Sequence, residues 1–263
     1  KEYIALTDQF ISEKNLISKG QSKICNSCLD SGRGAFEDLG LKINYYSDFI
    51  NKETSKKISS KIKNFTIKEM QEYKEDNISI GEHAYAGALR YYAVGELNNE
   101  RHGETILRKY LYSAILTKNI FENYLVQNKI DKIILNHAIY VPQGIICNIS
   151  KENNIKIIVY TNAYRKNSFI FSYDDTYHKT MIEEDVADWE NLVLDQKKEK
   201  IIIDYLLSRK HGTNDMFYYF KNPSFDIKKK LVDNGVDIKK PVLGLLTNVI
   251  WDAQIIYKNN IYN

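Results

Sequence analysis

Four stretches of the 263-residue chain gather side chains able to move a proton or hold an anion. The first is Asn136-His137-Ala138-Ile139-Tyr140-Val141-Pro142-Gln143-Gly144, directly after an apolar run with the composition of a buried strand. His137 there is placed to act as a general base near neutral pH, and equally to hydrogen-bond the helix that follows. Gln143, with the N–H groups behind Pro142, offers donors to a hydroxyl or an anion, while Tyr140 and Gly144 would line such a site. The second stretch, Thr161-Asn162-Ala163-Tyr164-Arg165-Lys166, also leaves a strand-like run. Arg165 supplies a fixed charge with planar donors for a phosphate or carboxylate; a surface salt bridge is the plainer use.

The third stretch, Tyr173-Asp174-Asp175-Thr176-Tyr177-His178-Lys179, sets paired acids beside His178 and Tyr177. Adjacent side chains point in different directions, so the acids are not by themselves a dyad, and capping of the next helix by Asp175 or Thr176 is the simpler role. The fourth is Gly81-Glu82-His83 at a helix start, with Arg90 two helical turns after His83 on a common face. Glu82 and His83 are further base candidates, although an acid in a first turn also complements the helix dipole. His102 and His211 sit beside glycines in turn-like sequence and read as solvated.

These stretches need a scaffold of strands and helices. Helical spacing extends over Gly81–Glu96, whose small residues permit close packing on a neighbour, and over Glu104–Gln127, with Ile106, Tyr110, Ala114, Leu116/Thr117, Ile120 and Tyr124 on an apolar stripe. Lys132–Asn136, a helix opened by Pro142, and Ile155–Tyr160 form a strand, helix, strand unit, which predicts parallel pairing. Ser168–Ser172 reads as a further short strand. Val186–Ser208 reads as one long amphipathic helix, a short helix ends near Gly235, and a new strand is expected at Val242–Leu246 after Pro241. The first twenty residues read as a helix, Ser31-Gly32-Arg33-Gly34 as a turn, and residues 51–75 as a lysine-rich helical excursion.

Composition narrows the classes. With 43% hydrophobic and 27% charged residues, the chain is a folded globular protein long enough for a real core. A formal charge of +3 with interspersed signs argues against nucleic acid as a partner, because phosphate neutralisation needs a concentrated basic surface. The twenty tyrosines suit the edges of polar ligand sites such as sugars. Cys25, Cys28 and Cys147 make no even disulfide framework, and Cys25-Asn26-Ser27-Cys28 has no second pair to complete a zinc site. A reducing cytoplasm is the simplest compartment, and any membrane contact is expected to be peripheral, at the inner face. No nucleophile elbow, HExxH, Walker loop or GxGxxG fingerprint is present.

In this order, Gly81-Glu82-His83-Ala84 with Ala88-Leu89-Arg90-Tyr91, Asn136 to Gly144, Asp175 to Met181 with Trp189, and Leu246 to Gln254 resemble the capsule polysaccharide biosynthesis family across roughly residues 24–254. The resemblance implies an α/β GT-B glycosyltransferase, two Rossmann-like domains facing across a cleft. Residues 1–240 would be the acceptor-side domain, a parallel sheet flanked by helices whose first strand precedes residue 1. Residues 241–263 would begin the nucleotide-sugar-side domain, most of which would follow residue 263. It further implies a nucleotide-sugar donor, a glycan or glycolipid acceptor, and no bound metal or other cofactor. It transfers no catalytic assignment, so the base candidates His137, His178, Glu82 and His83 rest on residue chemistry. The same holds for the binding candidates Arg90, Tyr140, Gln143, Gly144, Arg165, Tyr177 and Asn248. Two other readings compete: a non-catalytic carbohydrate-binding or assembly module, and a Rossmann-like enzyme acting on a phosphorylated metabolite through Arg165 and the Pro142 helix start.

Overall fold

The computed structural model describes residues 21–180, 185–211, 226–245 and 250–251. The expected helix over the first twenty residues, and the segment 246–249 with Asn248, lie outside them. The described chain is α/β, with a small open three-stranded sheet and flanking helices.

It opens with α1 (Gln21–Glu37), which runs straight through the expected turn at Gly32 and Gly34. Two glycines cost a helix only about 1 kcal/mol each, and the 2.6 Å Arg33 to Glu37 ion pair bridges successive turns across Gly34. The excursion over 51–75 is helical: α2 (Lys52–Ile62) is capped by Asn51, whose side chain accepts from Thr54 N–H at 2.7 Å, and α3 (Ile67–Gln71) by a Thr66/Glu69 capping box. Next come α4 (Ile80–Tyr92), ended by Ala93 in the left-handed region, and α5 (Gly103–Gln127). The close packing expected of the small residues is present, since a Cβ on Gly87 would lie 2.6 Å from the Tyr110 ring of α5.

Helix α5 is the axis of the core. Leu107, Leu111 and Ile115, off the expected stripe, are buried along with Tyr110, Ala114 and Ile120. The helix is enclosed on more than one side, so a single-stripe reading undercounts its core residues. Lys118 is buried there too, with its ammonium 2.6 Å from Glu122 and 2.9 Å from Asp76; burial lowers its pKa, but these acids prevail and hold it above the usual lysine value.

The strand, helix, strand unit forms as β1 (Lys132–Asn136), α6 (Gln143–Glu152) and β2 (Lys156–Asn162). Lys156 N–H donates to Asp131 O at 3.2 Å, joining the starts of the two strands and making the pair parallel. Helix α6 turns Cys147 and Ile146 to a cluster with Leu135, Ile157 and Val159, and Ile145 and Ile149 to the helical core. The third strand, β3 (Phe169–Tyr173), departs from the expected all-parallel sheet. Ala163 N–H donates to Ser168 O and Asp174 N–H to Ile157 O, so β3 returns antiparallel as a hairpin partner in the order β1-β2-β3. A short connection between β2 and β3 leaves no room for a crossover helix.

Beyond it lie α7 (Tyr177–Thr180), α8 (Ala187–Glu190), α9 (Gln196–His211) and α10 (Ile227–Asp233), the last ended by Gly235 at φ +80° as expected. The single helix expected over Val186–Ser208 is interrupted, because Asp195 caps a fresh start by accepting Lys198 N–H at 2.8 Å. Residues 241–245 form no strand, and Leu243 and Leu245 are exposed. Chain contacts divide the molecule into a first unit (1–159, 173–176 and 250–263) and a second (160–172 and 177–249). Among the described residues no helix is long and apolar enough to cross a membrane.

Candidate functional site

The first unit brings two of the four chemical stretches together. His83, in the first turns of α4, is 5% exposed, and its Nδ1 is hydrogen-bonded to the carbonyl of Ile139, 56 residues away. Its Nε2 lies 2.8 Å from Asn148 Nδ2 on α6. An amide nitrogen only donates, so Nε2 accepts and the ring proton sits on Nδ1, donated to Ile139 O. Burial pushes the His83 pKa down to about 4, against the pull of the Ile139 carbonyl and with the help of the Lys151 charge. A neutral imidazole with both nitrogens engaged is a strut, and the base role expected of His83 gives way to a positioning one.

Gly144 is part of the same junction. A Cβ there would stand 2.5 Å from His83 Nδ1 and closer still to Ile139 O. The close approach that glycine permits is therefore used by His83, not left open for a ligand. The loop between β1 and α6 is bent by two successive left-handed residues, His137 at φ 57° and Ala138 at φ 54°. Each costs about 1–2 kcal/mol outside glycine, and the buried Ala138, Ile139 and Val141 side chains hold them in place. His137 is half-buried at this bend. Arg90, exposed at the end of α4, lays its guanidinium 4.6 Å above the Tyr140 ring, so a fixed charge stands beside the loop. Gln143 is half-buried as the first residue of α6, and Glu82 is half-buried in the first turn of α4. Glu82, adjacent to His83, points about 100° away around the helix.

The third stretch lies at the other end of α6. Asp174 N–H meets Ile157 O at the beginning of β2, and the Asp175 carboxylate pairs with Lys151 in the last turn of α6 at 2.8 Å. His137 leads into the first turn of that ten-residue helix, so about 15 Å of helix separates the two. Asp175 also accepts the neighbouring Thr176 N–H at 2.7 Å. Tyr177 and His178 open α7 in the second unit with their rings 3.9 Å apart.

Within the second unit Arg165 sits 5.8 Å over Tyr205, and Arg209 5.8 Å over Tyr164. Tyr164, Arg165 and Tyr205 edge a shallow groove of about 290 Å³ with Ser168, Ile201 and Ile202. Arg165 thus stacks on an aromatic ring, where a surface salt bridge was the plainer expectation. Sequence reasoning missed Asn148, Lys151, Tyr205 and Arg209. Each acquires its role only from a partner distant in the chain, and no local spacing marks it. Cys147 is buried, and burial pushes its thiol up to about 11, which keeps it protonated and unreactive. Among the described residues no group of three or more His, Cys, Asp or Glu is arranged to hold a metal ion.

Comparison with family models, with curated proteins and with solved structures finds no match to this chain.

Proposed function

We propose that this chain is a glycosyltransferase domain with the Rossmann-like, GT-B type of architecture, transferring a sugar from a nucleotide-sugar donor to a growing capsular or other surface polysaccharide. One observation carries the reading. The stretches Gly81–Tyr91 and Asn136–Gly144, on which the resemblance chiefly rests, are fastened to one another by the His83 bridge to Ile139 and by Arg90 over Tyr140. Ile250 and Trp251, from the last stretch, belong to the same unit: Ile250 meets Gly95, and Trp251 packs on the helical core.

In this reading His137 takes the proton from an acceptor hydroxyl as that oxygen attacks the anomeric carbon and the bond to the diphosphate breaks. Glu82 is the second base candidate. Arg90, Tyr140 and Gln143 orient the acceptor, and His83, with Gly144 and Asn148, fixes the loop that carries His137. Arg165, Tyr177 and His178 remain binding and base candidates of the second unit, and Asn248 of the segment outside the described residues.

The test is turnover against a panel of nucleotide sugars. His137→Ala is expected to lower kcat by about a hundredfold or more with acceptor affinity unchanged. Neither hydrolysis, transfer nor calorimetric binding with any donor would end this reading. Glycan binding that survives His137→Ala and His178→Ala together, without turnover in the unmodified chain, would favour a non-catalytic carbohydrate module.

A further inference from the structure

One groove of the first unit, with a mixed polar and apolar lining, plays no part in the site above. It has a volume of about 530 Å³, within the range of small-ligand sites. Its walls come from the segment entering α3 (Asn64, Phe65), from Lys68 and Gln71 of α3, from Tyr85 of α4, from Glu96 and Asn98 in the connection to α5, and from Glu104 in the first turn of α5. Tyr85 and His83 are two residues apart on α4, about 200° around the helix, so the groove opens on the side of α4 away from the His83 junction.

We infer that this groove is a binding site for a short, uncharged oligosaccharide. Two side-chain amides on the connecting segments, the Gln71 amide and two carboxylates present planar groups that donate or accept in pairs. A sugar hydroxyl does both at once, and so matches a wall of mixed donors and acceptors. Half-buried Phe65 adds apolar surface of the kind that covers the C–H face of a pyranose, and buried Tyr85 closes the groove beneath it. Charge argues the same way: Glu96 and Glu104 oppose a phosphate or carboxylate, and Lys68 is the single lysine or arginine among the lining residues. The walls are also held in advance. Arg108 binds the carbonyl oxygens of Ile62 and Phe65 and pairs with Glu104, tying the α3 entry to α5. The Thr66/Glu69 capping box fixes the turn into α3, with Thr66 N–H 2.7 Å from the Glu69 carboxylate. A preformed wall spares the ligand the cost of ordering it.

Saccharide binding at this groove needs no transfer chemistry, so the inference stands apart from the transferase reading. Titration calorimetry of the whole chain with maltotriose and with chitotriose tests it, with sialyllactose as the anionic control. At least one neutral trisaccharide is expected to bind, and the Gln71→Ala, Asn98→Ala double variant to weaken it tenfold or more with the melting temperature kept. Glu96→Gln serves as a second variant should that pair disturb folding, and is expected to weaken binding in the same direction. His137→Ala is expected to leave this binding unchanged. Absence of binding by both neutral probes overturns the inference. So does preference for sialyllactose, or equal binding by the folded groove variants.

Discussion

The two units treat their apolar residues in opposite ways. In the first, Ile62, Met70, Ile80, Leu107, Leu111, Ile115 and Ile145 are essentially removed from solvent around α5. Among the described residues of the second, no hydrophobic side chain is buried, and α9 leaves Ile201, Ile202, Ile203, Leu206 and Leu207 exposed. Dense packing fixes side chains to a single arrangement, which is why His83 can be held between Ile139 and Asn148. The chemical residues of the second unit are instead held pairwise, Arg165 on Tyr205 and Arg209 on Tyr164. Such contacts are worth about 0.5–1 kcal/mol at exposed positions. Sites that depend on fixed geometry therefore belong to the first unit.

The sharpest way to break this comparison is a matched pair of truncations. Leu111→Ala, at a fully enclosed position, is expected to lower stability by about 2–5 kcal/mol, while Leu206→Ala, at a position 59% exposed, stays within about 0.5 kcal/mol. Urea unfolding of the two variants measures both. Equal losses would show that α9 is buried in solution and that the contrast between the units is false.

The next effect is acid sensitivity, which the first unit owes to His83. Its folded pKa of about 4 lies below the ordinary 6.5, so the unfolded chain takes up a proton that the folded chain refuses. The stabilisation is complete above pH 6.5 and is lost as pH falls toward 4, by up to about 1.4 kcal/mol per pH unit and about 3 kcal/mol in total. Unfolding free energies measured from pH 8 to 4 should fall more steeply in the parent chain than in His83→Gln. Parallel curves would remove His83 from its place as a buried neutral strut.

Glycines give the smallest and most discriminating effect, because the two substitutions should have opposite signs. Gly144→Ala drives a methyl into His83 and Ile139 and is expected to cost about 1–3 kcal/mol and to impair whatever His137 does. Gly32→Ala, in α1 with open space around it, should stabilise by about 0.5–1 kcal/mol. Thermal melts compare them directly, and a stabilising Gly144→Ala would mean that the loop is not clamped.

How much of this was legible follows from the range of the interactions involved. The bounds of β1 and the start of α6 at Pro142 could be read from the chain because strand composition and the missing N–H of proline act within a few residues. The α1 glycines misled because a turn signal of about 1 kcal/mol per residue yields to continuous helix pairing. The break before α9 was a local cap inside an apolar run, and the stronger periodic signal hid it.

The candidate site divides along the same line. Sequence by itself offered the candidate residues and determined the parallel β1-α6-β2 unit, consequences of residue type and short-range periodicity. Only the tertiary structure decided their roles. It turned His83 from a base into a strut, gave Gly144 to that strut, set Arg90 on Tyr140, and placed Asp175 at the far end of α6 from His137. Those outcomes depend on burial and on partners up to 65 residues apart. Desolvation and long-range contact are properties of the packed chain, and no window of sequence contains them.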